Sequence, residues 1–380
     1  MKDRLSAPDG VRVLAIGLVM WFHIWQQSWL APVLNVGGVS ADFGAIARTG
    51  YIWVDIMLML SGYLLFLPLA RGKELRAKEY YVRRLIRIVP CYYLSVFVML
   101  FAFALPNGEY ATRAAMWKDL LTHLTFTHTF FMDTYVSTRL NVVLWTLAIE
   151  VQFYLIFPLV ARAFRERPLL TYAGMALFSV LFRALFIEKQ SNLDIWINQL
   201  PAMLDVYANG MLAAHITSEL EKREDTKLTM AFFSALTALA LVGLWRVAQG
   251  QALDSFPYDV RKLGQLGRRF ELSFLGALLL VSCERSFLYI RKLFGNPVTR
   301  FLSFLSYNVY IWHQVLSVKL KEWKIPNYIS QSPSEESEMP WQLHYTILCF
   351  LLSILLAIFI TYLFERPITE KLTKKYVRRA

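Results

Sequence analysis

Apolar residues recur along this chain in stretches of about 20, separated by short basic or polar segments, from Val11 to Phe364. At 1.5 Å per residue, a helix of that length crosses a hydrocarbon core about 30 Å thick. Ten candidate spans fall at roughly 11–30, 50–70, 87–105, 140–161, 168–187, 198–216, 228–248, 267–283, 298–318 and 342–364. The runs are rich in Leu, Phe, Val and Ala and lack the two-residue alternation of barrel strands. The pattern predicts an all-α, polytopic transmembrane helical bundle. The stretch LLTHLTFTHTFF (120–131) reads as a re-entrant or interfacial helix. The first span is expected to be retained: its apolar part is too long for a cleavable signal, and no small-residue cleavage site follows.

Composition agrees with that setting. Of 380 residues, 56% are hydrophobic and 18% charged, against about 25% charged in soluble proteins. The longest loops, 106–139 and 319–341, are too short to bury a core, and QSPSEESEMP (331–340) reads as a flexible outer loop. No internal repeat stands out.

The net charge of +12 raises the question of nucleic acid, and its distribution answers it. With MKDR inside, the loops 71–87, 162–167, 218–227 and 284–292 and the tail EKLTKKYVRRA also fall inside and hold most of the Lys and Arg. EKQSNLD (188–194) falls outside and is not basic, whereas DVRKLGQLGRR (259–269) is a basic exception there. Ten spans with both termini cytoplasmic satisfy the positive-inside rule, so the basicity reports a bilayer partner and no nucleic acid. Cys91, Cys283 and Cys349 are scattered, without ligand spacing, which implies no metal site and no structural disulfide.

Polar groups inside the spans carry the candidate chemistry. His23 follows Arg12 by eleven residues, roughly three turns plus 20°, so both side chains leave nearly the same helix face about 16 Å apart. An intramembrane histidine marks a pathway or a reaction, or else an interhelical hydrogen bond. Arg83, Arg84 and Arg87 in YYVRRLIRIVP place charge before the third span, with Arg83 and Arg87 one turn apart. They fit either headgroup anchors or a clamp for phosphates. Glu150, in mid-span, is costly to bury and so points to function. Asp55 and His313 are accessory candidates, with a structural hydrogen bond as the competing role. Asp205 and Arg183 are expected to neutralise each other. His123 and His128, five apart, are poorly spaced for a metal pair on a helix.

PDGVRVLAIGLVMWFH, WVDIMLMLSGYLL (53–65), YYVRRLIRIVPCYYL (80–94), LWTLAIEVQFYLIFPL (144–159), FLSYNVYIWHQ (304–314) and FERPI (364–368) occur in that order. Together they resemble the acyltransferase 3 membrane family along nearly the whole chain. Met57 to Leu60 depart from it, standing where the family has aromatic residues before its Ser-Gly.

The resemblance implies one membrane domain over 1–380 that moves an acyl group, most often acetyl, from cytoplasmic acyl-CoA to a hydroxyl. The acceptor would be a glycan or a small molecule, and the setting a bacterial cytoplasmic membrane. By the family pattern Arg12 and His23 map onto its essential pair, Arg83, Arg84 and Arg87 onto its basic segment, and Glu150 onto its buried acid. His23 would act as base, with Glu150 fixing its tautomer or binding the acceptor, and the arginines would hold acyl-CoA, a co-substrate and not a resident cofactor. The competing reading is a transporter or flippase for lipid-linked or anionic glycans, with His23, Glu150 and Asp205 as a proton relay.

Overall fold

The computed structural model describes residues 7–36, 39–187, 193–254, 256–328, 330 and 338–377. The N-terminal MKDR, most of the 188–194 loop, residues 331–337 of the 331–340 loop and the last three residues of the tail therefore lie outside the described residues.

Among the described residues, ten long helices sit where the apolar runs predict them. They are α1 (Ala7–Ser28), α2 (Val54–Ala70), α3 (Ala77–Val98), α4 (Trp145–Glu166), α5 (Pro168–Ile187), α6 (Leu204–Leu220), α7 (Lys227–Leu253), α8 (Tyr258–Arg285), α9 (Pro297–Glu322) and α10 (Met339–Ile360). Among the described residues, seven helical segments are long and apolar enough to cross a membrane: those containing α1, α2, α3, α4, α5, α7 and α10. The others, α6, α8 and α9, are shorter or carry more polar side chains.

The chain forms two compact units, one of residues 1–67 and 209–357 and one of 68–208 and 358–380. In the first unit α1 packs along α9, and α7 along α8. A capping box between Asn296 and Thr299, with Pro297 in the first turn, fixes where α9 begins. In the second unit α3 and α5 both pack against α4.

Three local features differ from the sequence expectation. Val33–Val36 and Val39–Asp42 pair as an antiparallel hairpin, an exception to the all-helical reading. The signal was present: β-branched residues flank Gly37-Gly38. Secondly, DVRKLGQLGRR is the first part of α8 and not a loop. Two of its four basic side chains meet carboxylates, Arg268 pairing with Asp254 at 2.5 Å and Arg269 with Asp55 at 3.1 Å.

The third lies in 106–139. The helix there, Arg113–Leu124, ends before His128, and Phe126 takes a φ of 57°. The chain turns back, and the rings of His123 and His128 stack with centroids 3.9 Å apart and planes 8° apart. Helical spacing does not describe this pair, because no single helix holds both. Asp119 anchors the loop: Tyr110 Oη, Thr138 Oγ1 and the Arg139 amide all donate to its carboxylate. Burial, and then the neighbouring His123, push the His128 pKa well below 6.5.

Candidate functional site

Within the first unit α1 positions both Arg12 and His23. Two glycines let it do so. A Cβ on Gly10 would lie 2.5 Å from the Phe294 carbonyl oxygen, and one on Gly50 would lie 2.1 Å from the Leu18 carbonyl oxygen. The backbone of the turn Gly50–Trp53 thus touches α1 between Arg12 and His23.

α9 supplies the partners. Arg12 Nη1 donates to Ser303 Oγ at 3.4 Å, and Ser303 Oγ donates to Asp9 Oδ1 at 2.8 Å. Ten residues further along α9, the ring of His313 lies 5.1 Å from the ring of His23, centroid to centroid. Two contacts in the same order along both helices make α1 and α9 parallel.

His23 is half-buried, and its Nδ1 lies 2.9 Å from Gln26 Oε1, one turn on. An amide oxygen only accepts, so this contact selects the tautomer protonated at Nδ1 and leaves Nε2 as the acceptor. His313 is fully buried. Asp55 belongs to this unit as well, where its carboxylate holds the Arg269 guanidinium, both groups being buried.

The second unit carries the other candidates. Arg83 is exposed and pairs with Glu79 at 2.6 Å, one helical turn before it on α3. Arg87 shares that exposed face, as the spacing predicts. Arg84 points elsewhere, its guanidinium 5.8 Å from the Tyr80 ring centroid and 5.4 Å from that of Tyr154. Tyr154 in turn donates through its hydroxyl to Glu150 Oε1, one turn earlier on α4. Arg84 and Glu150 are therefore joined through one tyrosine.

Sequence pattern makes the three arginines look alike and assigns no role to Tyr154, Gln26 or Ser303. The first two stand at i+4 and i+3 from a candidate residue, a spacing that could have found them. Ser303 had no such signal. Arg183 and Asp205 neutralise each other as expected, by two hydrogen bonds of 3.0 and 2.5 Å. Among the described residues no group of three or more His, Cys, Asp or Glu is placed to hold a metal ion.

Residues 5–363 match a family described as an acyltransferase domain. The "Peptidoglycan O-acetyltransferase OatA" of Listeria monocytogenes is 21% identical over 332 residues, which are 80% of this chain and 48% of that protein. A "Putative O-acetyltransferase" of Staphylococcus aureus strain COL is 21% identical, over 80% of this chain and 49% of its own. The "Putative acetyltransferase ORF330" of Acidianus two-tailed virus is 23% identical, over 78% and 79%. The chain thus spans about half the length of the two bacterial relatives. No solved structure matches. With apolar helices of spanning length from end to end and a family match over nearly all of its residues, this multi-pass membrane protein belongs to the acyltransferase 3 family.

Proposed function

We propose that this chain is a membrane O-acyltransferase moving an acyl group, acetyl in the first instance, from cytoplasmic acyl-CoA to a hydroxyl of a carbohydrate or another surface or secreted acceptor. We place it in a cell membrane, with ten spans and both termini cytoplasmic. The observation that carries the reading is His23 on α1: a ring held by Gln26 with Nε2 left as acceptor, on the helix face that also bears Arg12. Acyl transfer from a thioester needs a base for the acceptor proton as the oxygen attacks, and imidazole suits that task near neutral pH.

In this reading Arg12, steadied by Ser303, meets the anionic donor about 16 Å from the base, a separation suited to an extended pantetheine arm. Arg83 and Arg87 offer exposed guanidinium groups to phosphates. Glu150, tied to Tyr154, is assigned to acceptor binding; its hydrogen bond to Tyr154 favours this over setting the His23 tautomer, which Gln26 accounts for. The transporter reading loses Asp205 from its relay, because Arg183 engages that carboxylate on both oxygens.

The test is release of free CoA from acetyl-CoA by membranes carrying the wild type or His23→Ala at matched expression. Release that falls at least about 100-fold in the variant supports a CoA-dependent transferase. Equal release from both overturns the assignment of His23.

A further inference from the structure

The His313 ring is buried, and its two nitrogens are treated differently. Nδ1 lies 3.0 Å from the Val309 carbonyl oxygen and 2.7 Å from that of Tyr310. Carbonyl oxygens only accept, so Nδ1 carries the ring proton and Nε2 presents a lone pair. That Nε2 is buried and has no hydrogen-bond partner among the described residues. A buried polar atom without a partner is costly, and a phenyl ring would fill the same space without that cost. The neighbouring imidazole, His23, has the same tautomer through Gln26. Two neutral rings, each protonated at Nδ1 and basic at Nε2, thus lie 5.1 Å apart and tilted by 51°.

We propose that His313 is a positioning residue of the acyl-transfer reaction, its basic ring beside His23 easing the positive charge that His23 takes on with the proton of the acceptor hydroxyl. The inference rests on the acyl-transfer reading above. As the hydroxyl oxygen bonds to the thioester carbon, its proton passes to His23. The C–S bond then breaks, and CoA leaves as a thiolate that takes that proton from His23. One proton enters from oxygen, one leaves to sulfur, and both rings end neutral. A polar ring 5.1 Å from the imidazolium offsets part of the cost of that charge in an apolar bundle.

The experiment uses the purified full chain with acetyl-CoA as the probe, reading thiol release for wild type, His23→Ala, His313→Asn and His313→Phe. Asparagine keeps an N–H for the carbonyls of the preceding turn but lacks Nε2, whereas phenylalanine keeps the packing. Both His313 variants are expected to lose about 100-fold in kcat, with KM for acetyl-CoA within about twofold. Their thermal midpoints should stay near that of the wild type, and the acid limb of their pH–rate profiles should move from its wild-type position. If His313→Asn keeps wild-type kcat, or restores activity lost in His313→Phe, the role is structural and the proposal is overturned. Unfolding of both variants overturns it equally. Absence of any His23-dependent release in the wild type is a different failure: it removes the acyl-transfer reading and this inference with it.

Discussion

The rings of His23 and His313 lie 5.1 Å apart on two parallel helices from opposite ends of the chain. Each half of that relationship is set locally: Gln26 fixes one tautomer and the α9 backbone fixes the other. What joins them is the packing of α1 along α9, so geometry at this site depends on everything that holds α1 in place.

Gln26 is the most direct handle on the His23 tautomer. Gln26→Leu removes the acceptor at Nδ1 and lets the proton sit on either nitrogen. CoA release is expected to fall about tenfold with KM for acetyl-CoA unchanged, and Gln26→Glu should recover most of it. A leucine variant as active as wild type would show that the ring is oriented by other contacts.

Gly50 tests the packing itself. A methyl group there meets the Leu18 carbonyl at 2.1 Å, so α1 or the Gly50–Trp53 turn must move. Gly50→Ala is expected to destabilise the protein by about 1–3 kcal/mol and to lower kcat more than KM. Thermal unfolding in detergent, beside CoA release, separates the two effects.

Arg83 and Arg84 are neighbours with different surroundings, and their variants should differ in kind. Arg83 is exposed, so Arg83→Ala should raise KM for acetyl-CoA about tenfold while leaving the thermal midpoint unchanged. Arg84 lies against Tyr80 and Tyr154, so Arg84→Ala should lower the midpoint as well. Identical behaviour of the two would mean that the Arg84 contacts carry no weight.

Asp55 and Arg269 form a buried pair, and removing one partner strands the other. Asp55→Leu or Arg269→Met alone should cost about 3–5 kcal/mol, while the double replacement should recover much of the loss. Midpoints of the two single variants and the double form the double-mutant cycle that measures this coupling.

The loop around Asp119 should be acid-sensitive. His128 has its pKa lowered well below 6.5 by burial and then by His123, so the folded protein binds fewer protons there than the unfolded chain. Stability from this group is complete above about pH 6.5 and declines as the pH falls below that value. The thermal midpoint should drop between pH 7 and pH 5, and His128→Gln should flatten that slope. An unchanged slope in the variant would locate the sensitivity elsewhere.

Sequence alone placed the ten long helices, because spanning length and apolar content are properties of a continuous segment. It also placed Arg12 with His23, and Arg83 with Arg87, because helix geometry fixes which residues of one segment share a face. Tertiary structure decided the rest. It turned Arg84 away from Arg83 toward Tyr154 and matched Asp55 with Arg269. It folded His128 back over His123 and brought His313 beside His23. The physical reason is common to all four: periodicity describes one helix at a time, whereas a contact between elements depends on where helices stop and which of them pack together.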